Sequence, residues 1–220
     1  MRRTPEPATL SPFDEAHEYH LMDHREVNRR FVDDLLQRPI GSRVIDLGCG
    51  PAAIAIELCR RDKDVEMIAV DAEVEMLEIA KREIDAAGLL DRIALHHADV
   101  CEMQFYSDEM ADTVISNSLI HHLDHPEQGL ATARRLVKQG GRLFIRDLVR
   151  PANEREVESL VATYSGQESE NAQQLLRQSL HAALTLEEIR EMARGLGIRP
   201  DHVQMSSDRH WTIDWSGKEK

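Results

Sequence analysis

Runs of β-branched residues alternate with segments whose apolar positions recur at helical spacing, and this alternation organises the middle of the chain. Arg43–Leu47 reads as a first strand, followed by the glycine turn Gly48-Cys49-Gly50-Pro51 and a helix from about Ala52 to Arg60. A second strand, Val65–Val70, ends at Asp71. The next helix carries Val74, Leu77, Ile84 and Ala87 on one face and stops near Gly88. Ile93–His97 and Thr113–Ser116 are the third and fourth strands. Pro126 opens another helix, Gly140-Gly141 end it, and Arg142–Arg146 form the fifth strand. Strand and helix in this order predict an α/β fold with a parallel sheet and helices on both faces.

The flanks have other patterns. Residues 1–12 hold Pro5, Pro7 and Pro12 among polar residues and read as a loose tail. Phe13–Gln37 predicts two helical stretches, with Val27, Phe31, Leu35 and Leu36 at helical spacing, closed by Pro39 and Gly41. Residues 151–184 read as helices without a strand, forming an insertion or lid. Thr185-x-x-Glu188 has capping-box spacing and starts a helix over Leu186–Arg194, ended by Gly195 and Gly197. Two final strands, near His202–Ser206 and His210–Trp215, meet at Ser207-Asp208 as a hairpin. All this predicts one domain: tail 1–12, helical cover 13–39, core 40–150, insertion 151–184, and a closing helix and strand pair 185–220.

Composition narrows the partners. The chain has 220 residues, 41% hydrophobic and 30% charged, ordinary for a globular domain with a full core. Its net charge of −13 repels a phosphate backbone, and Arg60-Arg61 and Arg134-Arg135 are isolated pairs, so nucleic acid is not an expected partner. Cys49, Cys59 and Cys101 lack metal-ligand spacing, and an odd number without a CxxC motif points to reduced thiols in a cytosol. No apolar run approaches a membrane span and the N-terminus has no signal-peptide core. The expectation is a cytoplasmic protein, monomer or homodimer, with no membrane partner.

The chemistry gathers at the predicted strand ends, where open α/β sheets bind ligands. Glycines at 48 and 50 let a ligand approach the backbone. Asp46, just before them, would repel a pyrophosphate, so it points to a ligand with a cationic or hydroxylated part. Asp71 ends the second strand, where a carboxylate suits ribose hydroxyls; Asp99 follows the third, within reach of an exocyclic amine; Asn117 ends the fourth. The plainer reading of each is a turn or helix cap.

Val44–Ala52, Asp71, His97-Ala98-Asp99-Val100 and Asp112–Leu123, in that order, resemble the successive motifs of class I S-adenosylmethionine-dependent methyltransferases of the small-molecule type. Lys138-Gln139-Gly140-Gly141 resembles the Lys-Pro-Gly-Gly turn of that family, with Gln139 in place of proline. The resemblance covers roughly residues 40–150. It implies a Rossmann-like, doubly wound seven-stranded sheet, mostly parallel with an antiparallel C-terminal hairpin. It implies S-adenosylmethionine as cofactor, S-adenosylhomocysteine as product and a small-molecule acceptor. Gly48 and Gly50 would pass close to the methionine part, Asp46 would sit near its ammonium, and Asp71 with the adjoining Ala72 would hold the ribose side. Asp99 and Val100 would contact adenine, and Asn117 the methionine side. Tyr19 and Met22, in the N-terminal segment, are expected over the cofactor.

His121 or His122 with Asp147 is similar to the His and Asp pair of natural-product sugar O-methyltransferases, in which a carboxylate orients a base. The alternative is that the two histidines simply pack at the start of a helix. His121-His122-x-x-His125 also has the residue types of a metal site, but no carboxylate cluster stands beside it in sequence and no metal is expected. Arg146, Arg150, Tyr164, His181 and His210 could line an acceptor pocket, and Arg150-Pro151 loosely resembles quinone C-methyltransferases. Sequence signatures of nucleic-acid amino, arginine and catechol methyltransferases are absent. Two other functions stay open: a nicotinamide oxidoreductase, since Gly48-x-Gly50-x-x-Ala53 fits that fingerprint, and a non-catalytic S-adenosylmethionine-binding protein.

Overall fold

The computed structural model of the chain describes residues 1–6 and 25–217. Its helices are α1 (Arg25–Leu35), α2 (Ala53–Arg61), α3 (Val74–Ala86), α4 (Pro126–Leu136), α5 (Glu154–Tyr164), α6 (Glu170–Ala182) and α7 (Leu186–Gly195). Its strands are β1 (Arg43–Leu47), β2 (Glu66–Asp71), β3 (Ile93–His97), β4 (Ala111–Asn117), β5 (Val137–Leu148), β6 (Val203–Met205) and β7 (His210–Ser216). The strands form one sheet in the order β3-β2-β1-β4-β5-β7-β6. β1 to β5 run parallel, and β7 is antiparallel to both β5 and β6. Strand order reverses between β1 and β4, which opens the ligand crevice of such sheets at their carboxyl ends.

Period-two alternation sends each strand's neighbouring residues to opposite faces. One face buries Val44, Ala69, Ile115 and Phe144 against Phe31 of α1, Leu58 of α2 and Ile84 of α3. The other buries Ile45, Val70, Val114 and Ile145 against Leu130 of α4 and Ile189 of α7. α5 and α6 make a satellite cluster of Val157, Val161, Leu180 and Ala183 around Leu148, at the carboxyl end of β5. The capping box before α7 forms in full: Thr185 Oγ1 accepts from Glu188 N–H at 3.2 Å, and Glu188 Oε2 accepts from Thr185 N–H at 2.8 Å.

The structure corrects several expectations. Ala52 is left-handed (φ 61°) and α2 begins one residue later. Gly140-Gly141 lie inside β5 and do not end α4, which stops at Leu136. The pairing of β4 with β5 shifts between Ala111 and Thr113, and a Cβ at Gly141 would come within 2.6 Å of the Asp112 carbonyl. β6 is only three residues long, with a 3₁₀ turn over Pro200–His202 before it. Residues 1–6 are not loose: Thr4 N–H donates to His181 O at 3.0 Å, and Arg3 donates to the carbonyls of Ala182, His121 and Leu123. Of the two N-terminal helical stretches, Arg25–Leu35 is observed; the other lies outside the described residues.

Phe31 is fully buried, edge-on to Phe144 with centroids 5.0 Å apart, and docks α1 on the sheet. Phe31→Ala should destabilise the protein by about 3–5 kcal/mol in a denaturant titration. A loss below about 1 kcal/mol would show that α1 is not anchored through this ring.

Candidate functional site

The turn after β1 is folded onto the end of β2. Gly48 (φ 69°) and Gly50 (φ 51°) take up backbone conformations that side chains resist. The Gly48 and Cys49 amides donate to Val70 O at 2.8 and 2.9 Å. The Gly50 amide donates to Asp71 Oδ2 at 2.7 Å, and Glu73 N–H donates to Oδ1 at 3.0 Å. A Cβ on Gly48 would come within 2.8 Å of the Leu119 side chain. This brings the loop after β4 directly against the turn.

Strand register explains which predicted residues meet. Asp46 pairs with Ala69 on one side and Ile115 on the other, so its side chain shares their face. Two residues further on, Asp71 and Asn117 share that face too. Asp46 is 2% exposed, and its Oδ2 has no hydrogen-bond partner among the described residues. Burial, with the charge of Asp71 adding to it, pushes its carboxyl up to about 8. The Asn117 Oδ1 is likewise buried and unpartnered among the described residues. The next residue, Ser118, is left-handed (φ 60°), an uncommon conformation for a residue with a side chain.

The β3 side is more open. Asp99 is exposed and its Oδ1 accepts from Cys101 N–H at 2.8 Å, capping a 3₁₀ segment over Val100–Phe105. Val100 is buried, and the Ala72 carbonyl bonds the His97 ring at 2.9 Å. Tyr19 and Met22 lie outside the described residues.

His121 and Asp147 do meet. Asp147 ends β5 pointing to the face opposite Asp46, and its Oδ1 lies 2.5 Å from His121 Nδ1. Its Oδ2 accepts the Ile120 and His121 amides at 2.5 and 3.3 Å, and its Oδ1 the Leu148 amide at 2.6 Å. Burial pulls the carboxyl pKa upward. The His121 ring and the backbone amides outweigh it and hold Asp147 below its usual range. An ionised carboxylate only accepts, so His121 Nδ1 carries a proton, and in the neutral ring the lone pair lies on Nε2. His122 takes a different partner: its Nδ1 lies 2.5 Å from Glu6 Oε2.

Glu6 is the residue that sequence reasoning missed, together with Ser179, whose hydroxyl donates to Glu6 Oε1 at 2.6 Å. Glu6 joins the histidines across more than a hundred residues of chain, and Ser179 joins Glu6 across more than a hundred and fifty, contacts with no local signal. Beside the expected Asp147, a second carboxylate, Glu6, therefore stands next to the histidines. Glu6, His121 and His122 each place a ligand atom within 4.8 Å of the others. The two rings, however, stack at 4.1 Å with a 35° tilt. Within this group His122 and Glu6 form an ion pair.

The residues proposed to line an acceptor pocket have structural partners instead. Arg146 bonds Asp34 and Thr212, Arg150 bonds Glu188 and the Ala183 carbonyl, and Tyr164 bonds Asp208. His181 pairs with Glu154, and His210 with Ser207. Among the described residues no helix is long and apolar enough to cross a membrane.

A family model described as a methyltransferase domain matches residues 40–204. The 27-O-demethylrifamycin SV methyltransferase of Amycolatopsis mediterranei is 25% identical over 183 residues, 81% of this chain and 63% of that enzyme. The demethylmenaquinone methyltransferase of Porphyromonas gingivalis is 26% identical over 175 residues, 74% of this chain and 71% of that enzyme. The chain spans about half to two thirds of the length of several curated relatives it matches. A crystal structure of an S-adenosylmethionine-dependent methyltransferase from Aquifex aeolicus superposes with a TM-score of 0.65 at 15% identity, covering 94% of this chain and 99% of that one. With the glycine turn, the strand-end acids and the sheet order in place, the match over residues 40–204 makes this chain a member of the methyltransferase-domain family.

Proposed function

We propose that the protein transfers the methyl group of S-adenosylmethionine to a hydroxyl of a small-molecule acceptor. The observation that carries this reading is Asp46. It is a buried carboxylate with an oxygen that has no partner among the described residues, at the carboxyl end of the central strand, beside the switch point. A buried acceptor with no donor is costly unless a ligand supplies one. The Asn117 Oδ1 on the same face, also without a partner among the described residues, makes the same demand. An amino-acid ammonium meets both needs, whereas a pyrophosphate would meet two more negative groups. The donor set therefore fits S-adenosylmethionine and disfavours a nicotinamide dinucleotide.

When bound, the cofactor supplies a methyl group activated on a sulfonium. The chain's own residues position and deprotonate. Asp71 keeps acceptor capacity for ribose hydroxyls while holding the Gly50 and Glu73 amides. Asp99 offers its second oxygen towards an adenine amine while its first caps the following turn. His121, held in one tautomer by Asp147, takes the acceptor hydroxyl's proton at Nε2. A neutral nucleophile gains little from such a base unless it carries a proton to lose, which favours oxygen as the methylated atom. The rifamycin relative, an O-methyltransferase by name, supports the same choice. Transfer from isotopically labelled S-adenosylmethionine to a metabolite extract, read by mass spectrometry, tests the activity directly.

Two predictions separate the parts. The folded Asp46 carboxyl titrates at about 8, above its ordinary 3.8, so the folded state holds a proton that the unfolded chain releases. Stability of the ligand-free protein should therefore fall as pH rises from about 4 to 8. Asp46→Asn should flatten this fall, raise the melting temperature at neutral pH, and weaken S-adenosylhomocysteine binding by about 1–3 kcal/mol in calorimetric titration. Unchanged affinity would remove Asp46 from the cofactor site. His121→Ala and Asp147→Asn should each lower turnover by about 10²–10⁴-fold with little change in S-adenosylhomocysteine affinity. Turnover at the wild-type rate in either variant would exclude a His–Asp base.

A further inference from the structure

Residues 1–6 lie across the acceptor end of the fold. Arg3 pins them: its Nε donates to Ala182 O at 2.7 Å, and its Nη2 to Leu123 O at 2.7 Å and His121 O at 3.1 Å. Its three carbonyl partners come from the end of α6 and from the loop that carries the histidines, so one side chain bridges the insertion and the core. The Glu6 carboxylate that follows is held by the Ser179 hydroxyl on one oxygen and by His122 on the other. The first of these oxygens is also the one facing His121 Nε2, at 3.9 Å. Burial pulls the Glu6 carboxyl pKa upward. The His122 bond, the charges of both histidines and the Ser179 bond override that and bring it to about 2, so it is ionised at neutral pH.

A carboxylate oxygen thus stands opposite the nitrogen assigned above to proton removal. The reacting oxygen of an acceptor has to arrive on that side, closing the 3.9 Å gap to hydrogen-bond reach of the base. The second carboxylate oxygen marks a further polar position, served by His122. We propose that Glu6 holds the acceptor's place: the acceptor is a hydroxyl beside a second oxygen, one directed to His121 and Ser179 and the other to His122, and residues 1–6 leave when it binds. The proposal rests on the reading of His121 as the proton acceptor. Ser179 and His122 are then specificity-determining residues. An acceptor with one oxygen would replace only half of what Glu6 provides and leave the other donor without its partner. An occupant tethered to the same chain competes at an effective concentration in the millimolar range, so a weakly binding anion cannot displace it.

The test uses salicylate, which carries a hydroxyl beside a carboxylate, and benzoate, which lacks the hydroxyl. Each is titrated into the wild type, Glu6→Ala and Glu6→Ala/Ser179→Ala while the ring resonances of His121 and His122 are followed by NMR. Salicylate should bind Glu6→Ala about tenfold or more tightly than the wild type, as expected when a tethered competitor is removed. Losing Ser179 as well should weaken it, and benzoate should bind Glu6→Ala more weakly than salicylate. Equal salicylate affinity in wild type and Glu6→Ala would overturn the place-holding role, and equal affinity for the two probes would overturn the two-oxygen requirement. S-adenosylhomocysteine titrated into the wild type reports separately on the cofactor reading. Its failure to bind would sink that reading and leave the outcome with salicylate intact.

Discussion

The loop after β4 depends on one buried charge. Asp147 is 1% exposed and gathers the His121 ring and the amides of Ile120, His121 and Leu148. Each donor offsets part of the cost of taking a carboxylate out of water, and removal of any one would leave the rest to carry it. Because three of the four donors belong to the loop after β4, the carboxylate dictates that loop's path. The chain leaves β4 through left-handed Ser118, turns under Leu119, and delivers His121 with its ring already oriented. Leu119 in turn fills the space that a Cβ on Gly48 would need. The tilt of the histidine and the tightness of the glycine turn are therefore two ends of one constraint.

The pleat of the sheet divides the labour. Side chains two apart on a strand share a face, and register carries that parity from strand to strand. Asp46, Asp71 and Asn117 fall on the face covered by α1, α2 and α3. Asp147 falls on the opposite face, next to the 3₁₀ turn of the histidines and the satellite helices α5 and α6. In the proposed reaction a cofactor and an acceptor approaching from these two sides would meet across the tip of β4, where Asn117 and His121 are four residues apart. Positioning two molecules against each other is most of what a displacement reaction asks of a protein. A one-residue slip of β5 would send Asp147 to the other face and dissolve the arrangement.

What was legible in the sequence follows the same logic. The order of the strands, the glycine turn and the capping box of α7 are set by local chemistry and stand where the chain pattern put them, while the bounds of β4, β5 and β6 differ. The His121–Asp147 contact was also within reach, because parallel order brings the ends of β4 and β5 together. Gly140-Gly141 misled, since glycines that usually stop a helix here let β5 pass close to the Asp112 carbonyl. Arg146 and Arg150 sat at the right height but had neighbours, Asp34 and Glu188, that only the tertiary fold supplies. Glu6 was invisible for a stronger reason. Prolines at 5 and 7 among polar residues read as a tail, and the contacts that bind Glu6 lie on α6 and in the β4 loop.

Two carboxylates, Asp46 and Asp147, are buried at opposite faces of the same sheet edge, and they are treated differently. Asp147 is saturated with donors, so burial leaves it ionised and the fold benefits from it at neutral pH. Asp46 has an oxygen with no donor among the described residues, so burial pushes it towards the protonated form and the ligand-free fold is weakened by it. A position that lowers stability in this way persists where binding recovers what folding lost. The contrast fits the proposed roles: the satisfied carboxylate orients His121, and the one with an oxygen unpartnered among the described residues suits a cationic ligand. Asp46, the residue that first argued against a phosphate at the glycine turn, thus makes the same argument from its burial as it did from its place in the sequence.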